Sequence, residues 1–315
     1  MMKHLQFAAG VLAAGLGLSS AASAAGTPVV LVLGVRGSPF YQALACGAQA
    51  KAKELGLNLT VSAPDQFAAD SQIPVVNAVA ATKPAVAVVV PTDAQALIAP
   101  LKQLAGMGTK VVTVDQTVAD NSFVETQIVT DNEQGGKFAA DAMNGLLAGK
   151  GKVLVITQPP GSAAQDARTA GFEEELKKYA GLNYLGAQYQ SDNPQKAAEI
   201  VTSTLSAHPD LAGIFATNDQ GAIGALTGLR QAGAVGKVKM VAYDAAAAEV
   251  SAFKNGGIEA LIVQNPKQEG EVAMQTAAKL IKGERVDKTT LTELVTIKAG
   301  DNATAEKYEY KADCM

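Results

Sequence analysis

Residues 85–93 read AVAVVVPTD and residues 110–115 read KVVTVD; further on, residues 211–219 read LAGIFATND and residues 239–244 read KMVAYD. Each pair is an apolar, β-branched run that ends on Asp and leads into a helical pattern, followed by a second run that also ends on Asp. The two Asp are 115 − 93 = 22 residues apart in the first copy and 244 − 219 = 25 in the second. Runs this continuous in Val, Ile and Leu fit strands buried on both faces, as in a parallel sheet. Two such blocks predict two related α/β lobes rather than one large sheet. Ligands of open α/β sheets sit outside the carboxyl ends of the strands, so two facing lobes would share a cleft. Asp93 and Asp219 stand directly before helices and read as N-caps. Asp115 and Asp244 end strands with no immediate helix, which makes them the better ligand candidates.

The same alternation extends in both directions. Strands are expected at 28–34, 58–62, 85–90, 110–115, 152–157, 183–187, 213–217, 239–244 and 259–263. Helices are expected at 39–55, 71–82, 94–105, 133–147, 163–179, 194–207, 220–231, 246–255 and 268–282. Strict β-α alternation means an α/β fold with right-handed crossovers.

Composition bounds the rest. A chain of 315 residues is long enough for two domains, because single cores stop growing at roughly 250 residues. With 48% hydrophobic residues and a formal charge of −4, disorder is a poor reading. No Lys/Arg cluster offers a nucleic acid its basic face. The start is basic through His4, apolar over 5–18, and then small, with Ala22-Ser23-Ala24 as an A-x-A cleavage site. Residues 1–24 read as a signal peptide, and their removal leaves 315 − 24 = 291 residues with a charge of −5. No later stretch reaches the roughly 18 apolar residues of a membrane helix. Export places Cys46 and Cys314 in an oxidising compartment, where they either bridge the tail to the first helix or leave Cys46 buried and the tail frayed.

Catalytic signatures are missing. There is no P-loop, no G-x-G-x-x-G after the first strand and no G-x-S-x-G elbow. Once His4 is removed, His208 is the only histidine, at a helix end before Pro209. No metal site, cofactor or catalytic residue is expected, and binding is favoured over catalysis.

Seven segments occur in an order that resembles a known family. They are Gly37-Ser38-Pro39-Phe40-Tyr41, residues 111–115 (VVTVD), 130–136 (TDNEQGG), 166–172 (DARTAGF), 215–219 (FATND), 241–244 (VAYD) and 262–264 (IVQ). Together they resemble the type I periplasmic solute-binding proteins, the ribose-binding-protein-like sugar receptors of ABC importers. The resemblance covers essentially the whole chain after residue 24. It implies two Rossmann-like lobes joined by a three-strand hinge. The first would span 27–130 plus 265–291 and the second 131–264 plus 292–300, with 301–315 as an extension of no assigned role. It implies a periplasmic protein whose partners are a sugar or polyol and a membrane permease, and a monomer is expected because the cleft must open and close freely. A receptor for chemotaxis or sensing, or an exported α/β enzyme using Asp115 or Asp244 as base, are the alternatives. It also implies that Cys46 pairs with Cys314.

By the same resemblance the ligand residues are Ser38, Phe40, Tyr41, Asp115, Gln116, Arg168, Asp192, Asn218, Asp244 and Gln264. The chemistry suits a sugar. Aromatic rings cover its C–H face. Asp, Asn and Gln each take two hydroxyls, and Arg supplies up to five donors. The bland readings are core packing for Phe40 and Tyr41, and an exposed pair with Asp166 or Glu173 for Arg168. The sequence departs from the family at Ser38, where asparagine is frequent, and at Gln116, where arginine is. At Asp192 or Asn193 it departs where an aromatic residue is expected. The identity of the sugar or polyol stays open.

Overall fold

A computed structural model describes residues 26–311 and Cys314. The expected signal peptide over residues 1–24 lies outside the described residues. The chain begins with β1 (Pro28–Val32), α1 (Pro39–Leu55), β2 (Asn58–Ser62), α2 (Ala69–Thr82), β3 (Val86–Val89), α3 (Ile98–Gly106), β4 (Lys110–Val114) and β5 (Val124–Val129). It continues through α4 (Asn132–Leu146), β6 (Gly151–Thr157), α5 (Ala163–Leu176), β7 (Leu182–Tyr189), α6 (Pro194–Ala207), β8 (Leu211–Ala216), α7 (Asp219–Gln231) and β9 (Lys239–Tyr243). The last elements are α8 (Ala247–Lys254), β10 (Ala260–Gln264), α9 (Pro266–Ile281), β11 (Thr289–Leu291), β12 (Leu294–Lys298) and α10 (Asn302–Tyr308).

The strands form two six-stranded sheets, in the orders β2-β1-β3-β4-β5-β11 and β7-β6-β8-β9-β10-β12. The first five strands of each order follow one pattern, so the molecule is two α/β lobes of like topology. Alternate residues of each strand feed opposite helical layers, as the two-residue period requires. In the first lobe Leu31 and Val88 belong to the core that includes α1, while Val32 and Val89 belong to the one beneath α2 and α3. In the second lobe Val153 and Val155 pack with α4 and α5, and Leu154 and Ile156 with α6 and α7.

Three connections pass between the sheets: β5 to α4, β10 to α9, and β11 to β12. The third explains the one strand that departs from the expected parallel arrangement. β12 pairs antiparallel with β10. It leaves the first sheet where β11 ends, beside its parallel partner β5, and crosses within two residues. It therefore enters the second sheet from the end at which the neighbouring strands finish, and must run against them.

Local sequence sets the ends of the elements that matter most. Pro39 opens α1 with its φ already helical, and Gly56 closes it at φ 67°. α4 and α5 approach so closely that a Cβ at Gly136 would lie 2.0 Å from the Arg168 carbonyl oxygen, and one at Gly171 would lie 2.0 Å from that of Glu133. Those two glycines set the depth at which Arg168 sits. Cys46 and Cys314 form a disulfide with Cα atoms 4.8 Å apart, which joins the tail to α1.

Candidate ligand-binding site

The carboxyl ends of both sheets face one small cavity, about 350 Å³ when its solvent-open mouth is included. From the first lobe come Ser38, Phe40 and Tyr41 at the start of α1, Phe67 before α2, and Asp115 and Gln116 after β4. From the second come Gln158 after β6, Gln165 and Arg168 on α5, and Asp192 after β7. Asn218 and Asp219 at the start of α7, Asp244 after β9 and Gln264 at the end of β10 complete the lining. All ten ligand candidates named from the sequence line this one space.

Asp115 and Asp244 hold matching positions. Both adopt positive φ, 63° and 88°, a conformation that Asp tolerates better than most residues. Each backbone N–H donates to an Ile carbonyl on the next strand, Ile128 at 2.9 Å and Ile262 at 2.8 Å. The turn aims each carboxylate off the strand end and into the cleft. Tyr41 donates its hydroxyl to Asp115 Oδ2 at 3.0 Å. Asp244 is more heavily engaged. Its Oδ1 accepts from Gln264 Nε2 and the Tyr310 hydroxyl, both at 2.8 Å, and its Oδ2 accepts from the Asp219 N–H at 3.3 Å.

Arg168 is 1% exposed, so it is no surface partner of Asp166 or Glu173. Its Nε donates to Asn132 Oδ1 and its Nη1 to the Thr217 carbonyl, each at 2.8 Å. The guanidinium lies 3.7 Å from the Tyr243 ring centroid. Its Nη2 is buried and has no hydrogen-bond partner among the described residues. Burial opposes its charge, but Tyr243, Asp244 and Asp115 outweigh it, and its pKa rises above the ordinary value.

Four carboxylates surround this single cation. Burial pushes Asp115 up to about 7, although Arg168 and the Tyr41 bond pull it back. Burial also raises Asp192 to about 6 against the bonds from Asn218 and Gln158. Asp219 is driven well above the carboxylate range by burial, then by Asp244 and Asp192. Behind the cavity, burial does the same to Glu249 and Glu269.

Asn218 rather than Asp219 caps α7, accepting from the Gly221 N–H at 3.0 Å and so leaving the Asp219 side chain to the cavity. Asn193 likewise caps α6, accepting from the Lys196 N–H, and it is Asp192 that faces the cleft. Gln116 reaches across the gap, its Oε1 accepting from the Ala164 N–H at 2.9 Å. Ala94 N–H donates across the same gap to the Gly161 carbonyl at 2.8 Å, so the lobes are closed on each other.

Sequence reasoning missed Phe67, Gln158, Gln165 and the pocket role of Asp219, and it missed Tyr310 behind Asp244. Asp219 was visible in the repeat. Phe67 and Tyr310 lie in irregular segments, where no periodic signal marks them. Among the described residues no group of three His, Cys, Asp or Glu is placed to hold a metal ion, and no helix is long and apolar enough to cross a membrane.

Residues 29–285 match the model of the periplasmic binding protein domain. The ribose import binding protein of Salmonella typhimurium is 32% identical over 287 residues, covering 90% of this chain and 95% of that protein. Among solved structures, an ABC transporter solute-binding protein from Agrobacterium vitis bound with α-D-tagatopyranose superposes with a TM-score of 0.88 at 30% identity, covering 90% of this chain and 99% of that one. A carbohydrate transporter solute-binding protein from Agrobacterium radiobacter in complex with D-arabinose gives 0.86 at 27% identity, with 90% and 99% covered.

Proposed function

The chain belongs to the periplasmic binding protein domain family, and from that membership we propose that it is an exported receptor that closes around a sugar or polyol, leaves it chemically unchanged, and presents it to the permease of an ABC importer. The moving lobes are residues 27–130 with 265–291 and residues 131–264 with 292–300. The receptor acts as a monomer in the periplasm, since its cleft must open freely.

One observation carries this reading. Asp115 from one lobe, and Arg168 and Asp244 from the other, converge on a cavity lined by Arg168, whose buried Nη2 has no acceptor among the described residues. An unpaired buried donor of a charged group is costly, and a hydroxyl oxygen in the cavity removes that cost. In the open form water serves the same groups, and closure without a guest would strand them. A polyhydroxylated guest that contacts both walls favours the closed form through its differential affinity for the two states. Phe40, Tyr41 and Phe67 cover an apolar ring face while the amides and carboxylates read hydroxyl positions. Because each polar group must find its partner, such a site selects stereochemistry rather than size.

Mass spectrometry of whatever the freshly purified protein releases on denaturation tests the proposal, together with calorimetry against D-ribose, D-tagatose, D-arabinose and the corresponding alditols. An unmodified sugar or polyol is expected. Release of a converted product, or no heat from any of these compounds and no retained solute, would refute it.

A further inference from the structure

We propose that the segment after β12 is a fourth crossover between the lobes, closed by the Cys46–Cys314 disulfide, and that it holds Tyr310 against both walls of the site as a positioning residue. The inference rests on the two-lobed binding reading and begins with where the tail goes. α10 packs on α8 in the second lobe, where Lys254 pairs with Glu306. The Tyr310 N–H then donates to the Ala245 carbonyl at 2.9 Å. Four residues later the chain is bonded to α1 of the first lobe.

Tyr310 stands where the two lobes meet. Its hydroxyl donates to Asp244 Oδ1 at 2.8 Å, and burial with Asp244 beside it pushes its pKa well above the ordinary value, so it remains a donor. Its ring meets Phe40 edge-on, with centroids 5.8 Å apart at 71°. It does not line the cavity, and it acts through Asp244 of the second lobe and Phe40 of the first.

The tether bounds the motion. From Tyr310 to Cys314 a fully extended chain reaches about 14 Å. Opening that would carry Cys314 further than that from Tyr310 must pull Tyr310 off Ala245 and Asp244, so the tether limits how far the ligand-free receptor opens.

Two variants test this. In Tyr310→Phe the ring contact with Phe40 is kept and the hydroxyl lost; affinity for whichever of D-ribose, D-tagatose and D-arabinose the native protein binds should fall about tenfold or more, as expected when a hydrogen bond to a buried charged group is removed. An unchanged Kd, whatever happens to the melting temperature, would assign Tyr310 to packing alone and overturn its positioning role. In Cys46→Ser/Cys314→Ser the ligand-free protein should show a larger radius of gyration by small-angle scattering than the native protein, and native protein under reductant should expand likewise. Equal radii would overturn the crossover. The scattering measurement needs no ligand, so native protein that binds none of the three sugars refutes the sugar reading alone.

Discussion

Asp115 and Asp244 occupy the same place in their lobes, after the fourth strand in chain order, with the same positive φ and the same backbone bond to the neighbouring strand. Their surroundings differ. The first lobe brings Phe40, Tyr41 and Phe67 to the cavity and engages Asp115 through one hydroxyl. The second brings amides, carboxylates and Arg168, and satisfies Asp244 from three donors before any ligand arrives. A common topology therefore serves two tasks. The second lobe is a pre-wired polar surface, and the first is an apolar lid that carries one carboxylate with bonding capacity to spare.

The largest test of this contrast is Arg168→Met. The guanidinium is the only cation among the described residues that line the cavity, and its loss leaves Asp115 and Asp244 buried without their counter-charge. Breaking a buried charge network of this kind costs about 3–5 kcal/mol. Chemical denaturation should show that loss, and calorimetry should detect no sugar binding. Native-like affinity in a folded variant would reduce Arg168 to scaffold.

Next come the two equivalent aspartates, which should respond with opposite signs. Asp244→Asn turns an amide toward donors that need an acceptor, so stability should fall by roughly 1–3 kcal/mol. Asp115→Asn removes a charge that burial disfavours while keeping an oxygen for Tyr41. At pH 8 the ligand-free variant should be more stable than the native protein, by about 1 kcal/mol or more. The pH dependence follows from the same shift. The folded Asp115 carboxyl titrates near 7 and Asp192 near 6, against an ordinary value of 3.8, because burial favours the neutral forms. Stability linked to those neutral forms is complete below about pH 4 and is lost as pH rises through 6 and 7. The melting temperature of ligand-free protein should decline over that window, less steeply in Asp115→Asn. An identical slope in the two proteins would place the titration elsewhere.

Much of this arrangement is legible in the sequence, for a physical reason. Strands buried on both faces leave unbroken Val and Ile runs, and a cleft at strand ends puts Asp115 and Asp244 where those runs stop; Gln264, Arg168 and Asp192 are legible only through the family resemblance. β5 escaped because VETQIV alternates buried and exposed residues instead of running apolar. β11 is only three residues, two of them Thr, and β12 is mostly half-buried, its pairing set by the crossing between lobes. Phe67 and Tyr310 reach the site through tertiary packing, which no local pattern encodes. Asp219 was in view but resembled a cap, and the adjacent Asn218 takes that role.

The smallest effect sharpens the contrast most. Phe40→Leu keeps an apolar side chain but removes the ring that meets Tyr41 edge-on at 5.2 Å. A ring contact contributes about 1 kcal/mol beyond the area it buries, so losing the Phe40 ring as a cover for the sugar's C–H face should weaken affinity roughly fivefold. If the aromatic wall of the first lobe is a lid, that wall senses the breadth of a ring face and little of its hydroxyl pattern. The loss should then be similar for every sugar that binds, leaving their rank order intact. Asp192→Asn changes a hydroxyl-reading group in the second lobe, and it should reorder the same series even where the mean affinity is held. Calorimetry of both variants against D-ribose, D-tagatose and D-arabinose compares the two lobes directly. A reordered series in Phe40→Leu with an unaltered one in Asp192→Asn would reverse the assignment, placing stereochemical selection in the aromatic lobe.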